Sequence, residues 1–212
     1  MFYDISKRIF DIFFAITLLI LFSPILLVTV IAIKLNSPGP VFADTPPRVG
    51  KNGKTFRMYK FRSMVQNAHD ILTTDPTYKK LFEEYKKSGY KLRNDPRITS
   101  VGRFIRKYSI DEMPQFLNVI SGDMSIVGPR AYYGDELRDQ QKKFPHTKNA
   151  VKIVLSVKPG ITGVWQVTGR SDINFDKRIQ LDANYAKRRS IWYDFYLILR
   201  TPFAMLSGKG AL

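Results

Sequence analysis

The sequence predicts a mostly helical α+β protein with a membrane segment at residues 1–36 and a compact domain over residues 37–212. Three observations lead to this prediction. Residues 12–33 carry no formal charge over 22 positions, enough for a helix that covers a bilayer core. Apolar residues recur at helical spacing in several later segments. A Lys-Asn-Gly-Lys turn at residues 51–54 indicates a small β element built from two short strands.

Composition restricts the classes of partner. The 212 residues include 34 Lys and Arg against 18 Asp and Glu, for a net charge of +16. Such a chain attracts anionic partners. The candidate classes are nucleic acid, an anionic membrane surface and phosphorylated small molecules. It has no cysteine, which excludes disulfides and thiolate metal sites. Two histidines argue against a histidine-rich metal site.

The apolar segment contains a break at Ser23-Pro24. Proline removes a backbone donor, and the Ser23 hydroxyl is placed to bond a carbonyl that this leaves free in lipid. Basic residues flank both sides, among them Lys7, Arg8 and Lys34. A re-entrant hairpin keeps both flanks on the cytoplasmic side, in agreement with the positive-inside bias. A Pro-kinked spanning helix is the alternative, and charge alone leaves both open.

The next segments alternate between turns, strands and helices. Residues 55–64 predict a strand, and residues 67–87 predict a helix that is interrupted near Asp75-Pro76. Apolar residues at helical spacing place residues 100–107 on an amphipathic helix. Its basic face could lie against a membrane surface, which would make it an interfacial helix.

An adjacent carboxylate pair, Asp111-Glu112, follows this helix. Ser109-x-x-Glu112 fits a structural capping box, but Pro114 would then cost a helical hydrogen bond. A helix that starts nearer Asp111 instead places the pair at its N-terminus and ends at Gly122. One ionised carboxylate can attack phosphorus while its neighbour holds Mg²⁺. Chemistry alone permits either order, and Arg130 is placed to clamp a phosphate.

The last third begins with a predicted short strand at residues 164–167, after a Gly-rich connector. Residues 175–189 predict a helix, on which Asp182 is a candidate partner for an arginine. Residues 190–205 are rich in aromatics and too interrupted to span a membrane. They predict an interfacial helix with an aromatic belt, or a core helix.

Taken together, the motifs identify a family. The chain resembles, over nearly its full length, the bacterial monotopic phosphoglycosyl transferases, which are the initiating sugar transferases of surface-polysaccharide and glycan assembly. The matching motifs are Lys7-Arg8, Ser23-Pro24, residues 38–42, residues 48–50, residues 59–64, residues 109–115, residues 122–130, residues 159–163 with 165–167, Gly169-Arg170, and Leu181-Asp182 with Tyr185.

The resemblance implies a re-entrant membrane helix, a catalytic domain on the cytoplasmic face of the bacterial inner membrane, and a Mg²⁺-dependent ping-pong reaction. Asp111 then attacks the sugar-bearing phosphate of a UDP-sugar and expels UMP, polyprenyl phosphate accepts the phosphosugar, and Glu112 binds the metal. The candidate phosphate contacts are Lys60, Arg62, Arg97, Arg130 and Arg170. Gln166 and Asp182 are candidates for a structural or substrate-binding role. Inner-membrane lipids are further expected partners, nucleic acid is not, and a homodimer is compatible with the sequence.

The chain departs from the family pattern at residues 42–47 and at Ala131, where a proline is usual. These departures affect local loop geometry and leave the sugar open, although the tail at residues 207–212 resembles members that transfer hexose phosphates. No multi-span region precedes the apolar segment, so we expect the small form of the family or a truncated large one. The competing hypotheses are a membrane-tethered nucleic-acid-binding protein, which lacks a recognisable motif, and a non-catalytic membrane scaffold.

Overall fold

A computed structural model of the chain describes residues 2–87, 92, 94–169 and 173–206. Helices predominate among these residues, as predicted. The helices are α1 (Phe2–Asn36), α2 (Ala68–Thr74), α3 (Lys79–Lys87), α4 (Ser100–Lys107), α5 (Gln115–Ser121), α6 (Gly134–Lys143), α7 (Lys148–Val154), α8 (Val164–Thr168), α9 (Phe175–Arg188) and α10 (Ile191–Leu206).

Five short strands form two small sheets. They are β1 (Arg48–Val49), β2 (Thr55–Phe56), β3 (Ser125–Val127), β4 (Tyr132–Tyr133) and β5 (Gly160–Thr162). The antiparallel sheet has the order β2-β1-β4, and β3 pairs with β5 in parallel. The predicted turn between β1 and β2 is confirmed as a 3₁₀ turn at Lys51–Gly53.

Two strand predictions need correction. The strand expected at residues 55–64 ends at Phe56, and the rest of that segment forms isolated bridges at Phe61 and Met64. The strand expected at residues 164–167 is wrong, because these residues form α8. The composition of residues 164–167 is typical of a strand, but tertiary packing overrides strand propensity here. A Cβ at Gly163 would lie 2.2 Å from the Gly128 carbonyl oxygen, and this close approach ends the parallel pairing.

Helix α1 passes through Pro24 without losing its helical assignment. Pro24 has no N–H to offer the carbonyl of Ile20, four residues earlier. The Ser23 hydroxyl donates to that carbonyl at 2.8 Å, which confirms the predicted compensation. Residues 3–36 are long and apolar enough to cross a membrane, and an 18-residue stretch within them has a mean hydropathy of 2.8. The path of α1 through a bilayer stays a prediction.

Both ends of α1 contact the same compact domain. Near its start, the Arg8 guanidinium donates to the Val119 and Ile120 carbonyls at 2.5 and 2.8 Å. At its end, the Asn36 amide donates to Ser100 Oγ at 2.8 Å. The side of α1 that packs on the domain is defined by the buried residues Asp11, Ala15, Thr29 and Ile33. Its other side exposes the apolar residues Ile9, Phe13, Ile16, Ile20, Leu27, Val28 and Ile31.

The bounds predicted for the helices before and after α5 agree with the structure. The break near Asp75-Pro76 separates α2 from α3, and α4 has the expected bounds. Helix α10 buries Asp194 and Leu197, as expected of a core helix, while Trp192 and Phe203 are 84% and 75% exposed. An interfacial position for this exposed face stays a prediction.

The largest hydrophobic core cluster joins the membrane segment to the domain. It brings together Ala15 of α1, Val119 of α5, Ile126 of β3, Tyr185 of α9 and Leu197 of α10. A second cluster packs α6, α7 and α9 around Tyr132. A third, smaller one lies between α1 and α4. Because α1 contributes to two clusters, it is part of the fold rather than an appended anchor.

The parallel strands β3 and β5 meet at two glycines just before Arg130. A Cβ at Gly160 would lie 2.0 Å from the Gly128 nitrogen, so neither backbone has room for a side chain. The Gly160 N–H donates to the Pro129 carbonyl at 2.8 Å. This contact fixes the turn that carries Arg130.

We expect Gly160→Ala to destabilise the protein by about 3 kcal/mol, because the added methyl group must push two hydrogen-bonded backbones apart. Thermal unfolding in detergent should show a midpoint lowered by on the order of 10 °C. Gly134→Ala is the matched control, since the nearest atom to its Cβ is the Val49 side chain at 3.9 Å. Equal midpoints for the two variants would contradict the close packing of β3 on β5.

Candidate active site

The carboxylate pair lies in a 3₁₀ turn, Ile110–Glu112, between α4 and α5. Ser109 precedes it in the left-handed region at φ 55° and makes no side-chain cap, so the capping box is not formed. Pro114 occupies the N-cap of α5. The prediction that the pair opens this helix is wrong, because the pair lies in a separate turn before α5. The Glu112 N–H donates to the Ser109 carbonyl at 3.2 Å. The negative charge of the carboxylate pair is therefore compensated by a side chain.

That side chain is Lys60. Its ammonium nitrogen lies 3.0 Å from Asp111 Oδ2 and 3.1 Å from Glu112 Oε1. The segment that carries Lys60 is held beside the carboxylate pair by the Phe61 N–H, which donates to the Asp111 carbonyl at 2.9 Å. Lys60, predicted to contact phosphate, is in this state the counter-ion of both carboxylates.

The two carboxyl groups differ in exposure and in pKa. The Asp111 side chain is 3% exposed and that of Glu112 is 42% exposed. Burial raises the pKa of Asp111 above its ordinary value, although Lys60 acts in the opposite direction. Desolvation also disfavours charge on Glu112, but Lys60 outweighs it and holds the pKa of Glu112 below its ordinary value. The environment thus shifts the pKa values of the two acids in opposite directions.

Arg130 reaches the site from the turn after β3. Its backbone N–H donates to Asp182 Oδ2 at 3.0 Å, and its guanidinium lies over the Trp165 ring at 5.0 Å. Among the described residues the guanidinium forms no ion pair within 4 Å, and its buried Nε has no hydrogen-bond partner. Burial opposes charge on Arg130, but nearby negative groups, first Glu136 and to a smaller extent Glu112, raise the pKa of Arg130. The in-plane donors of Arg130 are therefore available to an anionic ligand.

Arg48 is a site residue that sequence reasoning missed. It lies within the family motif at residues 48–50, which by itself predicts no role for its side chain. The structure places its buried guanidinium 3.3 Å from the centre of the Tyr133 ring, with one bond to the Ala131 carbonyl at 3.1 Å. Burial lowers the pKa of Arg48, and its side chain lines the same cavity as Arg130.

Two predicted phosphate contacts are engaged elsewhere. Arg62 donates to the carbonyls of Ser37 and Pro38, and so fixes the linker that follows α1. Arg97 forms a bidentate pair with Asp95, with Nε 2.8 Å from Oδ1. These contacts give both residues a structural role. Arg170, the remaining candidate, lies outside the described residues.

The two candidates for structural or substrate-binding roles occupy different places. Gln166 lines the cavity, and its buried Oε1 has no hydrogen-bond partner among the described residues. Asp182 is fully buried and accepts from the Arg130 N–H and from the Tyr132 hydroxyl at 3.3 Å. Asp182 thus meets Arg130 through the backbone N–H, and no ion pair with an arginine side chain forms at Asp182 among the described residues.

One cavity of about 1020 Å³ contains these groups. Its polar part is lined by Arg48, Lys60, Asp111, Glu112 and Arg130, and its apolar wall includes Leu18 and Phe22 of α1 with Ile198 and Pro202 of α10. The volume suits a nucleotide-sized ligand. The wall is formed by the two helices that also expose apolar faces, so the charged site borders a lipid-compatible surface.

The described residues contain no cluster of three or more His, Cys, Asp and Glu side chains that could hold a metal. The pair nevertheless suits Mg²⁺, which often binds one or two carboxylates together with water and substrate phosphates. An oxygen of Asp111 and an oxygen of Glu112 already converge on one cation, the Lys60 ammonium. Glu112, with its greater exposure and lowered pKa, is the better donor of the two.

Comparison with known proteins agrees with this chemistry. A family model described as bacterial sugar transferase matches residues 2–208. The undecaprenyl-phosphate galactose phosphotransferase of Salmonella typhimurium is 41% identical over 97% of this chain and 41% of its own length. The UDP-glucose:undecaprenyl-phosphate glucose-1-phosphate transferase of Escherichia coli K12 is 37% identical, with the same two shares. The exopolysaccharide production protein ExoY of Sinorhizobium fredii is 37% identical over 98% of this chain and 88% of its own length.

The chain therefore spans about two-fifths of the length of the Salmonella and Escherichia relatives. It covers most of the ExoY protein. The matched part includes the carboxylate pair, Lys60, Arg48 and Arg130.

We expect Asp182 to make stability depend on pH. Burial raises the pKa of Asp182 from 3.8 to about 7, so the folded state holds a proton that the unfolded state loses. This group should then lower the free energy of unfolding as pH rises from about 4 to about 7, by at most about 1.4 kcal/mol per pH unit. Asp182→Asn should remove that slope in urea unfolding measured at pH 5, 6, 7 and 8.

The control for this measurement is Glu84→Gln, which changes an exposed acid on α3 and should keep the wild-type slope. Parallel curves for the wild type and Asp182→Asn would show that the carboxyl does not titrate in this window.

Proposed function

Since the chain belongs to the bacterial sugar transferase family, we propose that it transfers a sugar 1-phosphate from a UDP-sugar to undecaprenyl phosphate. The products are UMP and an undecaprenyl-diphosphate-sugar, and the reaction starts the assembly of an exopolysaccharide, capsule, O-antigen or glycoprotein glycan. The names of the relatives specify galactose, glucose and N-acetylgalactosamine phosphates, so these three sugars are the first donors to test.

The observation that carries the proposal is the shared cavity. It holds a buried carboxylate, a second and more exposed carboxylate, a lysine between them and an arginine whose donors are free. Its apolar wall comes from α1 and α10. A diphosphate donor needs the charged groups, and an acceptor with a polyprenyl chain needs the apolar border. The acceptor phosphate can meet the donor only where these two environments adjoin.

In the first step, the Asp111 carboxylate attacks the sugar-bearing phosphorus of the donor. An O–P bond forms to Asp111 as the bond from that phosphorus to the bridging oxygen breaks. UMP leaves with the bridging oxygen and its electron pair, and the phosphosugar remains on Asp111 as an acyl phosphate. Desolvation supports this role, because a buried carboxylate with a raised pKa is a stronger nucleophile than a hydrated one.

In the second step, a phosphate oxygen of undecaprenyl phosphate attacks the same phosphorus. The bond to Asp111 breaks, and the carboxylate is regenerated with its electron pair. Both steps place negative charge near Arg130 and Arg48, whose cations offset the repulsion between the incoming oxygen and the phosphate. The two steps share one set of cations because they occur at one phosphorus.

Glu112 would hold Mg²⁺, which when bound would supply positive charge to offset the negative charge of the phosphates. Lys60 keeps the pair compact before a ligand enters, since adjacent carboxylates repel each other without a counter-ion. Among the described residues the Lys60 ammonium forms ion pairs with the two carboxylates alone, so it could also turn toward the transferred phosphate. This makes Lys60 both counter-ion and phosphate contact.

We further propose that the protein is monotopic, with α1 entering and leaving the inner membrane on the cytoplasmic face. The support is that Arg8 and Asn36, at opposite ends of α1, contact the same domain. The exposed apolar face of α1, the exposed aromatics of α10 and the basic face of α4 supply the surface that meets lipid.

We expect the purified chain to release UMP when it is given Mg²⁺, undecaprenyl phosphate and one of UDP-galactose, UDP-glucose or UDP-N-acetylgalactosamine. Asp111→Asn should lower the rate by about 10³-fold or more, because it removes the nucleophile. With the donor alone, the wild type should release about one UMP per enzyme and retain the sugar phosphate, as a two-step reaction requires.

Asp135→Asn is the matched control, since it alters an acid on α6 that is 73% exposed and lies apart from the cavity. It should keep wild-type activity. Absence of UMP with all three donors would contradict the proposed function, and undiminished release by Asp111→Asn would contradict the assigned nucleophile.

We expect cysteines introduced on either side of α1 to be labelled only from the cytoplasm. The chain has no cysteine of its own, so Phe2→Cys and Asp70→Cys give single-site probes. An impermeant maleimide applied to intact spheroplasts should label neither, and should label both after lysis. Labelling of either site in intact spheroplasts would show that α1 crosses the membrane.

A further inference from the structure

Two guanidinium groups lie over the indole ring of Trp165. Arg130 lies 5.0 Å from the centre of the ring and Arg178 lies 5.5 Å from it. Trp165 is 7% exposed and lines the cavity of the carboxylate pair. We propose that Trp165 is a positioning residue, which holds the Arg130 guanidinium toward the phosphates of the nucleotide donor. This inference rests on the proposed function and assigns a role within it.

The argument begins with the way each arginine is held. Arg62 and Arg97 are bonded through their N–H groups to carbonyls and to a carboxylate. Those donors already have acceptors within the protein and are unavailable to a ligand. Stacking on an aromatic face is different, because it uses the plane of the guanidinium and leaves the in-plane N–H groups free. An arginine that must be both ordered and able to bind phosphate is therefore best held by a ring.

The rest of Arg130 is fixed by other means. Asp182 accepts from its backbone N–H at 3.0 Å, and the Pro129 carbonyl before it is bonded to β5. These contacts fix where the side chain starts and leave its direction undetermined. The face of Trp165 supplies that direction, since it is the aromatic ring recorded within about 6 Å of the Arg130 guanidinium in the described part of the chain.

Arg178 also lies over the Trp165 ring, at 5.5 Å from its centre. This arginine is buried and paired with Glu136, at 2.9 Å between Nη2 and Oε1. It also lies over the rings of Tyr132 and Phe175 at 5.3 and 5.9 Å. The pair joins α9 to α6, so Trp165 packs against a neutralised ion pair. Arg130 forms no such ion pair among the described residues, so its charge remains available to an anionic ligand.

UDP binding tests the role without turnover. We expect Trp165→Leu to weaken UDP binding about tenfold in titration calorimetry with Mg²⁺ present, and Trp165→Phe, which keeps a smaller ring, to weaken it about threefold. Trp192→Leu makes the same change at the exposed tryptophan of α10 and should keep wild-type affinity. In steady-state assays, Trp165→Leu should lower kcat/KM by more than its loss of thermal stability explains. Trp165→Phe should recover most of the lost kcat/KM.

A double-mutant cycle separates positioning from simple packing. In an Arg130→Met background, replacement of Trp165 by Phe should change UDP affinity less than twofold, because the cation that it orients is absent. Equal threefold effects in both backgrounds would overturn the proposal, as would wild-type affinity in Trp165→Phe. These outcomes remain decisive if Trp165→Leu does not fold.

The two tryptophans of the chain also provide a spectroscopic test. In Trp192→Phe, emission comes from Trp165 alone and should change when UDP draws Arg130 toward its phosphates. The same titration with Arg130→Met added should show no change, and a change of equal size would overturn the proposal. Failure of the proposed function is distinguishable, because the wild type would then not bind UDP at all.

Discussion

Two adjacent carboxylates beside one lysine are the constraint on which the rest of the site depends. Buried acids repel each other and lose hydration, so they stay ionised only beside a cation. Lys60 supplies it from a segment that is distant in sequence, and its ammonium lies about 3 Å from both acids. The extended stretch after β2 must therefore run between the linker that follows α1 and the α4–α5 turn. Bridges at Phe61 and Met64 hold it there.

The basic residues fall into two groups according to how they are bound. Arg62 and Arg97 donate in their own plane to protein acceptors and stabilise the chain path. Arg48 and Arg130 stack on the rings of Tyr133 and Trp165 and retain free donors. Residue type alone does not distinguish the groups. The geometry of the contact does, because a stacked guanidinium can still bind a phosphate.

The membrane segment is continuous with the site rather than separate from it. Lys7 lies 2.7 Å from Asp11 and 2.9 Å from Asp194, which ties α1 to α10 through a buried ion cluster. Asp11 also accepts from the Ile126 N–H of β3 at 3.1 Å. Farther along, the same two helices form the apolar wall of the cavity. Anchoring and acceptor access therefore depend on the same pair of helices.

The sequence by itself determined much of this protein, wherever the signal is local. The apolar run, the Ser23 hydroxyl beside Pro24, the hairpin turn and the bounds of α4 all follow from backbone chemistry within a few residues. The carboxylate pair and Arg130 were also found, because motif spacing is local too. Only the tertiary structure decided which cations surround the pair, that Arg48 belongs to the site, and that residues 164–167 are helical. Those features depend on contacts between segments tens of residues apart, whose burial and direction no local pattern records.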